Sequence, residues 1–348
     1  MPAVKPKAID LFSGCGGLTQ GLRDAGFRVL AGVEFDELAA ASYRRNHRRV
    51  VVFQEDIRDL RPIQFRRQFR LERGELDLLA GCPPCQAFSS MRCLNGSRRT
   101  RDKDSKDLVL EFLRFVRGLL PKVIMIENVP RLASDRRIRD VQRQLHDLGY
   151  EGEPAVLNAA DFGVPQRRRR MIYIASRIGP IPCAGPLPPG AERTVWDAIH
   201  GLPRPGRSGD PPHDLPEERS ERIKALIRRI PRNGGSRRSL GEDEQLECHR
   251  NCDGFNDVYG RMAWRNVSPT ITSGCTNPSK GRFLHPSQNR AITLREAALL
   301  QGFPRNYYFS LERGKCAAAL LIGNAFPPAF VRLHAEIIRA SLREYNRT

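Results

Sequence analysis

The sequence predicts an α/β protein built on a doubly wound, Rossmann-like parallel sheet, with a second and smaller domain. Over the first half of the chain, short apolar runs alternate with amphipathic helical stretches. A glycine-rich turn directly follows the first apolar run. After residue 176 the composition changes to proline, glycine and arginine. A chain of 348 residues is long enough for both domains.

The first domain is predicted from five apolar runs that are typical of buried parallel strands. These are residues 8–12, 29–33, 76–80, 123–126 and 171–175. A short further strand is expected just before Asp56. Helices are predicted over residues 107–120 and 138–148, because each repeats apolar residues on one face.

Domain boundaries follow from the change in composition. Residues 179–190 are rich in proline and glycine and form the clearest linker. We therefore expect domains at 1–175 and 176–320, with the segment 321–348 returning to the first domain through an amphipathic helix at 329–343. Short helices and irregular stretches in the second domain favour a recognition surface built from loops.

The net charge of +19 indicates a polyanionic partner, for which nucleic acid is the usual candidate and a membrane surface the alternative. The chain shows no run of 18 apolar residues and no signal-peptide core, which favours a cytoplasmic, nucleoid-associated protein without a membrane partner. Nine cysteines in so long a chain favour reduced thiols. The excess of arginine over lysine suits phosphate contacts, or equally reflects the base composition of the source genome.

The glycine-rich turn at residues 10–22 opens a helix, where backbone N–H groups can approach a ligand closely. Glu34 ends the second strand, where its carboxylate can accept both ribose hydroxyls, and Asp56 ends the third. The pattern predicts a nucleoside-type cofactor. A plain tight turn and a dinucleotide site are the alternatives.

Residues 81–89 follow the fourth strand and carry the sequence Cys-Pro-Pro-Cys, so its thiols lie at the same sheet edge as the glycine turn. A thioredoxin-like or zinc site is the alternative for this motif. Glu127 stands at the end of the next strand. A thiol and a carboxyl flanking one cleft are what addition to an electron-poor ring requires. The arginine run at 167–170 can supply cations there, although such runs are more often solvated or phosphate-binding.

Taken in order, these segments resemble the DNA (cytosine-5) methyltransferase family over nearly the whole chain, apart from a variable segment at about residues 177–264. The matching segments are residues 10–22, Glu34, Asp56, residues 84–86, 127–129, 166–170, 265–272, 294–304 and 323–326.

The resemblance implies transfer of a methyl group from S-adenosylmethionine to C5 of a cytosine flipped out of double-stranded DNA. Cys85 takes the place of the nucleophile that adds to C6, and Glu127 that of the acid at N3. Arg170 holds the base carbonyl, and Arg168 lies in a positive setting that stabilises the thiolate. DNA contacts are implied for Ser89, Arg168 and Thr270. No metal is required.

The same resemblance assigns the cofactor pocket. Its residues are Phe12, Gly14, Gly16, Gly17, Glu34, Asp56, Ile57, Pro83, Leu108 and Asn324. For Leu108, simple packing of an apolar helix on the sheet is an equal alternative. A monomer is implied, with a restriction endonuclease of the same target sequence as a candidate partner.

Other functions remain open from the sequence. An RNA cytosine methyltransferase, a catalytically inactive DNA-binding regulator and a nicotinamide-dependent dehydrogenase are the alternatives. A zinc site is a further one, with candidate ligands Cys248, His249, Cys252, Cys275 and His285. Ala325, where the family more often has serine, is expected to be tolerated variation.

Overall fold

The structure is a computed structural model that describes residues 4–84, 108–241 and 257–347. The chain divides into two compact units. The sheet unit comprises Met1–Phe162, Arg169–Pro186 and Phe326–Thr348, and the loop unit comprises Gly163–Arg168 and Leu187–Ala325. The predicted boundaries at 175/176 and 320/321 lie near the observed limits at 186/187 and 325/326. No prediction anticipated that residues 163–168 belong to the loop unit.

The sheet unit contains a seven-stranded sheet in the order β3-β2-β1-β4-β5-β7-β6. Its strands are β1 Lys7–Leu11, β2 Arg28–Val33, β3 Val51–Phe53, β4 Leu78–Gly81, β5 Val123–Asn128, β6 Pro154–Asn158 and β7 Arg169–Ser176. Strands β1 to β5 are parallel, as predicted. The fold class is confirmed as a mixed α/β sheet of the doubly wound type.

The predicted parallel orientation of the run at 171–175 is wrong. Strand β7 runs antiparallel to both of its neighbours, with Glu127 opposite Ile172 and Leu157 opposite Arg170. The chain reaches β7 through the unpredicted edge strand β6 and the 3-10 turn Ala159–Phe162, which reverses its direction. A run of buried apolar residues has the same composition in either orientation, so the sequence pattern carried no information about direction.

The described helices of the sheet unit are α1 Gly17–Asp24, α2 Glu37–Asn46, α3 Pro62–Phe69, α4 Leu108–Leu119, α5 Arg136–His146 and α11 Pro328–Tyr345. The predicted helices at 107–120, 138–148 and 329–343 correspond to α4, α5 and α11. Phe112 and Phe115 of α4 pack into the main apolar core with Phe65 of α3. Helix α11 lies directly on α1, where a Cβ at Gly21 would come within 2.4 Å of the Val331 Cβ.

The loop unit has a different construction. Its described helices are α6 Val195–Ile199, α7 Pro211–Asp214, α8 Glu221–Arg229, α9 Leu294–Leu300 and α10 Gly314–Asn324. Within its described residues the β pairing is limited to isolated bridges, such as Arg261 with Leu284. A small apolar cluster forms around Ile227, Ile230 and Leu284. This confirms the prediction of short helices joined by irregular segments.

One stretch of the described chain, Gly314–Tyr345, is long and apolar enough by length and composition to cross a membrane. Within the most apolar window of that stretch, 56% is buried inside the protein. A core helix of a soluble protein meets the same criteria, so the stretch is weak evidence for a membrane span.

Candidate active site

The carboxyl ends of the parallel strands β1 to β5 meet along one edge of the sheet. In open α/β sheets this edge is where ligands bind. Most of the described residues predicted for the site lie at or after the carboxyl end of one of these strands. They are Phe12, Gly14, Gly16, Gly17, Glu34, Asp56, Ile57, Pro83 and Glu127.

The glycine-rich loop after β1 has a left-handed backbone at three positions. The φ angles are 59° at Phe12, 54° at Gly14 and 98° at Gly16, which is the N-cap of α1. A Cβ at Gly14 would meet nothing within 4 Å, so the loop faces open space there. The loop is held to β2 by the Ser13 amide, which donates to the Val33 carbonyl at 2.9 Å. This geometry leaves room for a ligand at the start of a helix, where partial positive charge collects.

Glu34 faces the same loop from the end of β2. Its Oε2 accepts from the Gly14 amide at 2.7 Å and its Oε1 accepts from the Asp36 amide at 2.8 Å. Burial raises the pKa of Glu34 above its usual value. A carboxylate offers roughly four lone-pair positions, so two amides leave capacity for the hydroxyls of a ribose.

Asp56 and Ile57 lie after β3. The Asp56 carboxylate accepts from the Arg58 side chain at 2.6 Å, and this contact lowers its pKa. The Ile57 side chain is buried in the core, while its carbonyl accepts from Arg114. Sequence reasoning missed Phe35, whose ring is 74% exposed beside Glu34. An aromatic residue directly after the acidic residue was the available signal, since such a ring can stack on a nucleobase.

A hydrogen bond between Asn128 and Pro83 connects the carboxyl ends of β4 and β5. The Asn128 Nδ2 donates to the Pro83 carbonyl at 2.9 Å, and its Oδ1 accepts from the Val129 amide at 2.8 Å. Asn128 is 4% exposed, so this pair fixes the start of the loop that leads to Cys85. Cys85 and Ser89 themselves lie outside the described residues. Leu108 is partly buried against the main core at the start of α4, a position that agrees with its packing alternative.

Glu127 and Arg170 form an ion pair between β5 and β7. The Arg170 Nε lies 2.8 Å from the Glu127 Oε1, and their side chains are 16% and 10% exposed. Because β7 is antiparallel to β5, the amino end of β7 lies beside the carboxyl end of β5. The antiparallel strand therefore brings a guanidinium to the ligand-binding edge. A carboxyl and a guanidinium held together can donate to and accept from one edge of a planar base.

Comparisons with known proteins agree with this geometry. The sequence model of the C-5 cytosine-specific DNA methylase family matches residues 6–340. The chain belongs to this family. It is therefore an enzyme of the C-5 cytosine DNA methyltransferase kind, and the family activity is methyl transfer from S-adenosylmethionine.

Curated relatives align with almost the full length of this chain. The Type II methylase M.HgiDII of Herpetosiphon aurantiacus is 37% identical over 96% of this chain and 95% of its own. The Type II methyltransferase M1.HphI of Haemophilus parahaemolyticus is 33% identical over 95% of this chain and 86% of its own.

Solved structures confirm the fold. A candidate DNA modification methyltransferase encoded within an E. coli prophage superposes with a TM-score of 0.69 and 26% identity, covering 99% of this chain and 100% of that one. DNMT2 of Spodoptera frugiperda has a TM-score of 0.65 at 15% identity, covering 96% of this chain and 99% of that one, which shows the shared fold alone.

Arg168 is placed differently from its predicted role. It belongs to the loop unit, is 3% exposed, and donates to the carbonyls of Ile271, Gly323 and Ala325 at 3.1 to 3.2 Å. A guanidinium engaged by three buried carbonyls has a structural role. Its predicted catalytic and DNA contacts therefore have no geometric support.

The two other predicted residues of the loop unit are more accessible. The Thr270 hydroxyl donates to the Arg167 carbonyl at 2.7 Å from a partly exposed position. Asn324 is exposed and ends α10. Both are open to a ligand.

The alternative zinc site gains no support from the residues in view. Cys248, His249 and Cys252 lie outside the described residues. Among the described ones no group of three or more His, Cys, Asp or Glu side chains suits a metal ion. The His285 Nδ1 already accepts from the Ser287 and Gln288 amides, and burial raises the pKa of the Cys275 thiol to about 12.

Proposed function

We propose that this enzyme methylates C5 of a cytosine flipped out of double-stranded DNA, through a covalent adduct between Cys85 and C6. The Glu127–Arg170 ion pair is the observation that carries the proposal. It supplies a buried carboxyl and a guanidinium two strands' width from the glycine loop, on the edge where β4 leads towards Cys85. That set of groups suits the activation of a pyrimidine ring.

The chemistry follows from the substrate. C5 of cytosine is a poor nucleophile while the ring is aromatic, so a thiolate must first add to C6. Glu127 hydrogen-bonds N3 and holds or delivers the proton there, which turns the adduct into an enamine with a nucleophilic C5. Arg170 orients Glu127 and donates to the carbonyl of the base. After transfer a base removes the C5 proton, and the Cys85 thiol leaves.

The glycine loop and Glu34 fit S-adenosylmethionine, which supplies the methyl group when bound. The loop from Phe12 to Gly17 would receive the methionine part, because it borders open space at Gly14 and leads into the start of α1. Glu34 has acceptor capacity for the ribose, and the exposed ring of Phe35 can stack on the adenine. Asp56, Ile57, Pro83 and Leu108 complete the proposed wall of the pocket in the sheet unit, and the resemblance adds Asn324 as a further proposed cofactor contact.

Double-stranded DNA is the proposed substrate. Extruding one base costs a few kcal/mol, which contacts to phosphates and grooves must offset. The charge of +19 suits that demand. Thr270 and, from the sequence prediction, Ser89 are the proposed DNA contacts, whereas Arg168 donates to carbonyls within the loop unit. The names of the Type II relatives favour an enzyme that protects DNA from a restriction endonuclease of the same specificity. A monomeric, cytoplasmic enzyme is part of the same proposal.

The test is incubation of the purified enzyme with labelled S-adenosylmethionine and unmethylated genomic DNA, followed by bisulfite sequencing. We expect protection of one cytosine within one short motif. Cys85→Ser should abolish transfer, and Glu127→Gln should slow it by about 10² to 10⁴.

Two matched variants control for nonspecific effects. Cys82→Ser changes the other thiol of the same motif, and Glu153→Gln changes an exposed carboxylate beside β6. Both should retain turnover within a few-fold of wild type. Undiminished methyl transfer by Cys85→Ser would refute the covalent mechanism. Label that enters only RNA would show that the substrate is RNA and not DNA.

A further inference from the structure

Helix α2 contacts both segments of the proposed cofactor pocket. At its amino end, the Asp36 amide donates to the Glu34 Oε1, and the Asp36 carboxylate caps the helix by accepting from the Ala39 amide at 2.8 Å. At its carboxyl end, Tyr43 and His47 reach the glycine loop. None of these helix residues is among the cofactor contacts proposed above.

Tyr43 reaches α1 through a buried chain of hydroxyl groups. Its hydroxyl lies 2.7 Å from the Thr19 Oγ1, and Thr19 in turn donates to the Asp10 Oδ2 at 2.7 Å. Either hydroxyl can be the donor in the contact between Tyr43 and Thr19. All three side chains are 0% exposed. The chain therefore joins α2 to the end of β1 and the first turn of α1.

The Tyr43 ring also fills the space beneath the loop. A Cβ at Gly32 would lie 2.6 Å from both Cζ and the hydroxyl of Tyr43, and 3.1 Å from the Ser13 Oγ. Ser13 is the residue whose amide and hydroxyl both bond to the Val33 carbonyl. The ring thus occupies the gap between β2 and the loop, and a smaller side chain would leave a cavity.

His47 contacts the loop at Gly16. Its Nε2 lies 3.2 Å from the carbonyl of Gly16, the residue with φ of 98°. Its Nδ1 lies 2.9 Å from the Arg23 Nη1. Burial, with the nearby charge of Arg23, lowers the pKa of His47 to about 3, so the ring is neutral. Since an arginine can only donate, Nδ1 accepts and Nε2 carries the proton that goes to Gly16.

We propose that Tyr43 and His47 are positioning residues for S-adenosylmethionine, holding the left-handed glycine loop in the conformation that receives the cofactor. Through α2 they couple that loop to the orientation of Glu34. Neither residue touches the cofactor. The inference rests on the proposed function, because it assumes that the loop and Glu34 bind S-adenosylmethionine.

The experiment compares three variants at these positions with one matched control. Tyr43→Phe removes only the hydroxyl, and His47→Leu removes the donor to Gly16. His47→Gln keeps an N–H donor of similar reach. Tyr150→Phe is the control, because Tyr150 is also buried in the sheet unit and donates to a carbonyl, that of Pro121, away from the loop. Calorimetry with S-adenosylhomocysteine, steady-state kinetics and thermal unfolding are measured for each.

We expect Tyr43→Phe and His47→Leu to raise the Kd for S-adenosylhomocysteine and the KM for S-adenosylmethionine by about 3- to 10-fold each, the range of one hydrogen bond. The kcat at saturating cofactor should stay within about twofold, because the residues act on binding. His47→Gln should recover most of the affinity. Tyr150→Phe should lower the melting temperature with no change in Kd.

Unchanged Kd values in Tyr43→Phe and His47→Leu would overturn the proposal, as would an affinity loss in Tyr150→Phe of the same size. If Tyr43→Phe does not fold, the Kd values of His47→Leu and His47→Gln test the proposal by themselves. Equal Kd values in these two variants would then overturn it. Wild-type protein that binds no S-adenosylhomocysteine would instead refute the proposed cofactor, and the positioning role with it.

Discussion

The two units of this enzyme are stabilised in different ways. In the sheet unit, strands satisfy each other's backbone groups, and the space between sheet and helices is filled by apolar side chains such as Phe65, Phe112 and Phe115. In the described part of the loop unit, short helices and isolated bridges leave many carbonyls without a strand partner. Buried arginines provide the missing donors there.

Arg261 is the main example in the loop unit. It is 0% exposed, and its guanidinium donates to the carbonyls of Ile227, Ile230, His285 and Gln288 and to the Asn289 side chain. Arg282 serves three further carbonyls, among them that of Arg261 itself. Planar guanidinium groups with five donors suit this task better than lysine, which is one structural reason for the arginine excess.

The buried arginines of the loop unit change how the net charge of the chain is interpreted. A net charge of +19 predicted a nucleic-acid partner, and the family agrees with that prediction. Yet Arg168 and Arg261 are buried among carbonyls, so some arginines hold the protein together. Net charge identified the class of partner but not which arginines meet it.

Arg261→Met tests the role of arginine in the loop unit and has the largest expected effect. Several buried carbonyls would lose their donor, at about 1–3 kcal/mol each, so we expect the loop unit to unfold or lose at least about 3 kcal/mol. Denaturant unfolding and DNA-binding anisotropy measure this. S-adenosylhomocysteine binding should persist with reduced affinity, because all of the proposed cofactor contacts except Asn324 lie in the sheet unit.

Two further variants sharpen that result. Arg228→Met removes an exposed arginine from α8, the helix that Arg261 supports, and should change stability by less than about 0.5 kcal/mol. Phe115→Ala should cost about 3–5 kcal/mol and abolish cofactor binding instead. Equal losses of cofactor binding in Arg261→Met and Phe115→Ala would show that the two units do not differ in this way.

The next prediction separates Arg168 from Arg170, which stand two residues apart in different units. The single side-chain nitrogen in Arg168→Lys cannot reach all three carbonyls that the two terminal guanidinium nitrogens contact, so we expect a loss of about 1–3 kcal/mol in stability with kcat within about threefold. Arg170→Lys loses the geometry of its bond to Glu127, and we expect kcat to fall at least about tenfold with little change in stability. Single-turnover kinetics and thermal unfolding check both. A large fall in kcat for Arg168→Lys, with little change in its stability, would show that Arg168 acts in catalysis as the sequence predicted.

A further prediction concerns pH and the sheet unit. Burial raises the pKa of Asp10 from its ordinary 3.8 to about 8, with a smaller contribution from the nearby charge of Glu34. Between pH 3.8 and about 8, the folded state keeps a proton on Asp10 that the unfolded chain has already released. The free energy of unfolding therefore falls as pH rises through this window. The slope can approach about 1.4 kcal/mol per pH unit.

Asp10→Asn has no proton to release, so we expect stability to fall less between pH 5 and pH 8 than in the wild type. Urea unfolding at the two pH values measures the difference, and groups elsewhere contribute equally to both proteins. Identical pH slopes would mean that Asp10 keeps an ordinary pKa and is charged in the folded state.

Local patterns predicted most of the sheet and much of the site. The glycine turn, Glu34, Asp56 and Glu127 were placed at the carboxyl ends of strands, and the structure has them at that edge. Strand β6 was missed because it is short, begins with proline and is only half-buried at the sheet edge. Tyr43 and His47 were missed because a lone aromatic residue or histidine gives no sign in sequence of what it faces. Phe35 was missed although its place directly after Glu34 was an available signal.

The sequence by itself determined the fold class, the family and the set of groups available for chemistry, because hydrophobic period and motif spacing are local properties. Tertiary structure decided the direction of β7 and, with it, the position of Arg170. A parallel β7 would have placed its amino end at the opposite sheet edge, away from Glu127; the antiparallel register puts the pair 2.8 Å apart. Tertiary structure likewise buried Arg168 among carbonyls while leaving Arg170 at the site. Partners of a charged side chain are set by contacts distant in sequence, and no local pattern encodes them.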